Sequence, residues 1–153
     1  MEREAFLKYL QKLEMAYAPK LSFTQELVDL WYEMFADCEE EGVRLAVNKC
    51  IKENEFAPNI AGLMKYYREL ESEKNELRDV IQKQYTTMRS IWDEEYSSDT
   101  FKALTEYIMK FPKEKRKEEM VELTHRALSF AYGCEAAGRK EKPTIKEYVR
   151  GAR

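Results

Sequence analysis

The segment Thr24-Gln25-Glu26-Leu27-Val28-Asp29-Leu30-Trp31-Tyr32-Glu33-Met34-Phe35 sets Leu27, Leu30, Trp31, Met34 and Phe35 at positions i, i+3, i+4, i+7 and i+8. That spacing makes one wide, bulky apolar stripe on an α-helix and predicts a helix over residues 24–36. Ser22 and Thr24 offer capping oxygens ahead of it, and Ser22 to Gln25 has the spacing of a capping box. Upstream, Phe6, Leu10, Leu13 and Tyr17 recur at steps of four, three and four residues, and Pro19 stops that helix. Downstream, the acidic run Asp37–Glu41 ends at Gly42 and suits the positive end of a further helix. That helix carries Val43, Ala46, Val47, Cys50 and Ile51 on one face.

Phe56-Ala57-Pro58-Asn59 reads as an extended corner, because proline moves the residue before it out of helical space and asparagine can cap the next helix. From Ile60 to about Glu95 there is a single glycine and no proline. Apolar positions continue at Leu63, Met64, Tyr67, Leu70, Leu77, Ile81, Met88 and Ile91 or Trp92, with a polar gap around Ser72–Glu76. One long helix or two stacked helices satisfy that pattern. A single helix would run about 50 Å, too long for one small core. It therefore bridges two modules or packs against another chain.

The last third repeats the grammar. Ser97-Ser98-Asp99 breaks and caps, and Phe101, Leu104, Tyr107, Ile108 and Phe111 form a stripe stopped by Pro112. Met120, Val121, Thr124, Ala127, Leu128 and Ala131 mark another helix ending near Gly133 or Gly138. Pro143-Thr144-Ile145-Lys146-Glu147-Tyr148 closes the chain in the manner of Pro58-Asn59-Ile60-Ala61-Gly62-Leu63, which raises a degenerate duplication. The alternative is that proline before a cap is simply a common way to begin helices. The fold class expected is all-α: an N-terminal four-helix module (1–75), a long connecting helix (76–98) and a smaller C-terminal helical module with a basic tail (99–153).

Over 153 residues the chain is 44% apolar and 36% charged, with 5 glycines and 4 prolines, too few turn residues for an all-β protein. The net charge of −3 argues against the whole molecule being the partner of a polyanion. No window approaches the roughly 18 apolar residues of a membrane span, and the acids in Met1-Glu2-Arg3-Glu4 do not suit a secretory signal. Three separated cysteines without a CxxC motif suit a reducing cytoplasm. Charge is uneven. The first 75 residues hold 10 bases and 15 acids, whereas residues 139–153 hold six bases and two acids.

Neither a phosphate-binding GxxxxGK[ST] loop nor a GxGxxG turn occurs. The single histidine, His125, borders an apolar stripe without a partner pattern and reads as a surface residue. Isolated cysteines make no metal site, and Cys50 reads as core. Glu39-Glu40-Glu41 and Glu118-Glu119 read as helix-start acids on solvated faces. The expectation is a non-enzymatic protein without cofactors or metals. Tyr66, Tyr67 and Tyr85 could stack bases, although tyrosine more often fills the border between core and water.

Tyr17-Ala18-Pro19-Lys20-Leu21-Ser22-Phe23-Thr24, then Leu30-Trp31-Tyr32-Glu33-Met34-Phe35, then Val43 to Ile51, then Phe56-Ala57-Pro58-Asn59-Ile60-Ala61-Gly62-Leu63, together resemble the helicase loader and inhibitor proteins of phages of Gram-positive bacteria. The resemblance covers roughly residues 5–70. Asn59 stands where serine is commoner, and Gly62 where an acid is usual. Residues 99–150 look folded where the family tends to finish in a flexible tail. The resemblance implies an adaptor in the host cytoplasm that binds a hexameric replicative helicase, inhibits it and loads it at an origin-bound initiator, without an ATPase of its own. Arg139, Lys140, Lys142, Lys146 and Arg150 are the candidate partner-binding residues. As rim charges they would act mainly on association rate and salt sensitivity; a solvated chain end is the plainer reading of them. Two alternatives compete: a nucleic-acid-binding replication factor using the basic tail, and a homo-oligomer built on the 60–95 helix, whose spacing is interrupted by Lys74 and Gln84.

Overall fold

The computed structural model describes residues 1–138 and 142–152. Among these the chain forms seven α-helices, one short 3-10 turn and no strand: α1 (Arg3–Tyr17), α2 (Gln25–Phe35), α3 (Glu40–Glu53), α4 (Ile60–Trp92), α5 (Ser98–Ile108), α6 (Arg116–Ala136) and α7 (Ile145–Gly151). The all-α expectation is borne out, and the segment from Ile60 is one helix. The chain divides into two compact units, Met1–Lys74 and Asn75–Arg153. The polar gap Ser72–Glu76 contains that division. Its Ser, Glu, Lys and Asn residues are tolerated in a helix without apolar burial.

In the first unit α1 packs on α2 and α3, burying the predicted face Phe6, Leu10, Leu13 and Tyr17. Thr24 caps α2, its side chain accepting from the Leu27 N–H at 3.4 Å. The preceding loop is held by the Phe23 N–H donating to Glu14 Oε1 at 2.8 Å. The buried row of α2 is Val28, Trp31 and Phe35, whereas Leu27, Leu30 and Met34 remain 40%, 47% and 51% exposed. The wide stripe is thus only half used. The rings explain the choice: Phe35 stacks on Phe6 at 5.7 Å and lies 6.3 Å from Trp31, which meets Phe23 edge-on at 5.2 Å. Offset and edge-on ring pairs gain about 0.5–1.5 kcal/mol beyond area burial, which turns the aromatic row inward.

α3 buries Val43, Ala46, Val47 and Cys50 as the spacing predicts, and begins with Glu40 and Glu41 in its first turn. Tyr17 closes its far end. The Tyr17 hydroxyl lies 3.1 Å from the Cys50 carbonyl and 3.2 Å from the Asn54 carbonyl, and donates to these C-terminal acceptors. Asn59 caps α4 as expected, with Oδ1 accepting from the Gly62 N–H at 2.7 Å. Gly42 is a close-approach position rather than a breaker. A Cβ there would lie 2.6 Å from the ring of Tyr67, whose hydroxyl is held by the Glu39 N–H at 3.0 Å.

The second unit takes Ile81, Tyr85, Met88 and Trp92 of α4 into its core, together with Leu104, Tyr107 and Ile108 of α5, Met120, Leu123, Ala127 and Ala131 of α6, and Ile145 and Val149 of α7. Residues 76–98, read from sequence as a connecting helix, therefore supply core side chains of this unit. α4 ends with Asp93 at φ 56, the left-handed conformation that Asp tolerates better than most residues. The Tyr85 hydroxyl accepts from the Ser97 N–H at 2.9 Å, and the Ser97 side chain caps α5. α6 runs through Gly133 and stops before Gly138, whose φ of 65 ends the helix. Thr144 and Glu147 form a reciprocal capping box at α7.

Two outcomes test this packing. Burial, reinforced by contact with Cys50, pushes the Tyr17 hydroxyl up to about 12, so the folded chain holds a proton that the unfolded chain releases near 10. Its stabilisation is complete below about pH 10 and is lost as pH rises toward 12. Tyr17→Phe should lower the unfolding free energy at neutral pH by about 1 kcal/mol and flatten the alkaline limb of stability measured by urea unfolding. Gly42→Ala, which in most helices stabilises, should here cost about 1–3 kcal/mol, read as a lower thermal midpoint.

Candidate partner-binding surfaces

Two cations of the C-terminal segment, Lys142 and Lys146, are built into their own unit. Lys142 Nζ donates to the Ile91 carbonyl at 3.3 Å, pairs with Glu135 at 3.6 Å and sits 5.8 Å over the ring of Trp92. Beside it the Trp92 indole N–H donates to the Pro143 carbonyl at 2.8 Å. The Ile145 N–H donates to Glu94 Oε1 at 3.0 Å. Lys146 pairs with Asp99 at 3.0 Å and, through that hydrogen bond, holds the Asp99 carboxyl below its usual range. Lys142 and Lys146 thus fix the approach to α7 and its packing beside α5, which contacts α7. Arg150 is exposed. Arg139 and Lys140 lie outside the described residues. The sequence could not assign Lys142 and Lys146 to these partners, because Ile91 and Asp99 lie some fifty residues upstream.

Two shallow depressions open on the surface. One is lined by Glu53, Asn54, Glu55, Phe56, Ala57, Pro58, Asn59 and Gly62. The Phe56 ring stands 72% exposed there, with Lys20 Nζ 5.9 Å over it. The other is lined by Arg126, Pro143, Glu147, Tyr148, Gly151 and Ala152, and its Arg126 donates to the Tyr107 hydroxyl at 3.2 Å. Neither brings together groups suited to nucleophilic or acid–base chemistry. Among the described residues no group of three His, Cys, Asp or Glu side chains is placed to hold a metal. His125 is exposed. Cys50 and Cys134 are buried, and burial pushes the half-buried Cys38 thiol up, away from the reactive thiolate. Of the tyrosines considered for base stacking, Tyr85 is fully buried, while Tyr66 and Tyr67 are half-buried and hydrogen-bonded to Asn54 and Glu39.

The apolar surface that sequence reasoning missed is on α2. Leu27, Leu30 and Met34 lie on adjacent turns of one helix face and are left about half exposed by the unit's own packing. The sequence signal was the excess width of the stripe. Glu26, Glu33 and Asp37, all exposed, lie within one helical turn of Leu30 or Met34. Asp29 is engaged by Arg3 and Gln25.

No helix among the described residues is long and apolar enough to cross a membrane. No curated protein and no solved structure matches the chain. Residues 1–64, which fall within the first compact unit, match the family model for the N-terminal domain of the helicase loader/inhibitor of Gram-positive phage, and the resemblance drawn from sequence is thereby borne out for this portion of the chain.

Proposed function

We propose that the chain is a non-enzymatic DNA-replication adaptor that binds a hexameric replicative helicase, holds it inactive and delivers it to an origin-bound initiator in the cytoplasm of a bacterial host. The observation that carries this reading is the coincidence of the family match, residues 1–64, with a unit that encloses its own aromatic core. A rigid helical platform of that kind presents a partner-binding face without an ordering cost at the moment of binding. The second unit supplies an exposed cation, Arg150, as a rim charge acting on association rate.

Gel filtration of the full chain with replicative helicases of several Gram-positive hosts tests this. Co-elution at micromolar concentration, with a fall in helicase unwinding, is expected. Absence of co-elution across those helicases would refute it. A DNA titration at two ionic strengths separates the adaptor from a nucleic-acid-binding factor. Strong affinity that collapses with salt is the signature of phosphate neutralisation and would favour the latter.

A further inference from the structure

We propose that the exposed face of α2 is a docking surface for a basic amphipathic helix of a partner protein. Leu27, Leu30 and Met34 form a ridge 40–51% exposed on a helix that contains no basic residue. Scattered apolar side chains at a surface are ordinary, whereas a contiguous ridge at i, i+3 and i+7 is the anchor pattern of helix recognition. The ridge stays at the surface because the aromatic row Trp31 and Phe35 is the one turned inward, where it engages Phe6 and Phe23.

Charge selects the occupant. Glu26, Glu33 and Asp37 border the ridge within one helical turn, and the first 74 residues hold 10 bases against 15 acids, a net of −5. An acidic partner segment or a membrane of anionic lipid would be repelled at that border. A segment with leucine-like residues flanked by lysine or arginine gains both ridge contact and ion pairs. A second copy of the chain would bring the same acids against each other, since a two-fold interface pairs a patch with itself. The Lys and Arg positions of the partner fix its orientation, and the apolar ridge supplies the affinity.

The assignment concerns the chemistry of the face and does not depend on which protein supplies the segment. Two labelled synthetic helices that share a leucine ridge, one flanked by lysine and one by glutamate, are titrated with the full chain by fluorescence anisotropy. The lysine-flanked peptide should bind at least tenfold tighter, with an advantage that shrinks as salt rises. Leu30→Asn with Met34→Asn should weaken it tenfold or more while circular dichroism and the thermal midpoint hold. Leu30→Ala with Met34→Ala serves where the asparagine pair disturbs the fold. Glu26→Lys with Glu33→Lys should invert the preference between the peptides. Equal binding of both peptides, or binding indifferent to the ridge substitutions, overturns the proposal. So does a monomer–dimer equilibrium in light scattering that the ridge substitutions abolish, which assigns the face to a second copy. A chain that binds the peptide and ignores every helicase refutes the adaptor reading alone.

Discussion

The stacking of Phe6 against Phe35, continued through Trp31 to Phe23, fixes the rotation of α2 about its own axis, and much of the first unit depends on it. The helix carries seven apolar or aromatic side chains, Leu27, Val28, Leu30, Trp31, Tyr32, Met34 and Phe35, which is more than one face can turn inward. Rotating it by one row would bury Leu27 and Met34 and withdraw Val28 and Phe35. That exchange would give up ring contacts with defined geometry for aliphatic contacts without it. The two large rings win because α1 presents Phe6 and the loop presents Phe23 at the positions they need. The outer face is then determined as well: the Leu27–Leu30–Met34 ridge is the remainder of a helix whose inner face was chosen by its aromatics.

Local signals in the sequence were strong where a helix begins. Thr24, Asn59, Ser97 and Thr144 all act as side-chain caps, because a cap needs only the residue and the backbone N–H groups just after it. The endings were less legible. α5 stops at Ile108, ahead of Pro112, and α4 stops at Trp92, ahead of Ser97. In each case the helix stops before the breaker that the sequence offers, so the breaker does not by itself set the end. Gly42 is the plainest instance: in sequence it ends an acidic run, and in the fold it lets the ring of Tyr67 come close to the backbone of α3. Nothing within the neighbouring residues encodes that approach, since Tyr67 lies on another helix.

The same distinction governs the charged residues. A run of cations such as Arg139 to Arg150 reads as a solvated patch because one-dimensional spacing shows only cations near cations. Folding places Lys142 over Trp92 and against the last turn of α4, and Lys146 against Asp99. Each ion pair, half in water, is worth little by itself. Their effect is on position: with the Trp92–Pro143 hydrogen bond and the Thr144–Glu147 capping box, they set where a seven-residue helix begins. A helix that short does not hold its shape unaided. Ile145 and Val149 are therefore buried only because the segment before them is tied down.

An adaptor must offer a partner something that its own folding does not consume. Cations absorbed in internal pairs are a poor offer, since recruiting them would cost the contacts they already make. An apolar ridge that the core has left uncovered costs nothing to present, and it gains from every partner group that dries it. The acids along its edge add selectivity rather than strength: a charged border in water contributes modestly to affinity but strongly disfavours a partner of like sign. Division of labour between the two faces of α2 is thus written in its composition. Its aromatics and Val28 hold the unit together, and Leu27, Leu30 and Met34, bordered by Glu26, Glu33 and Asp37, stay at the surface.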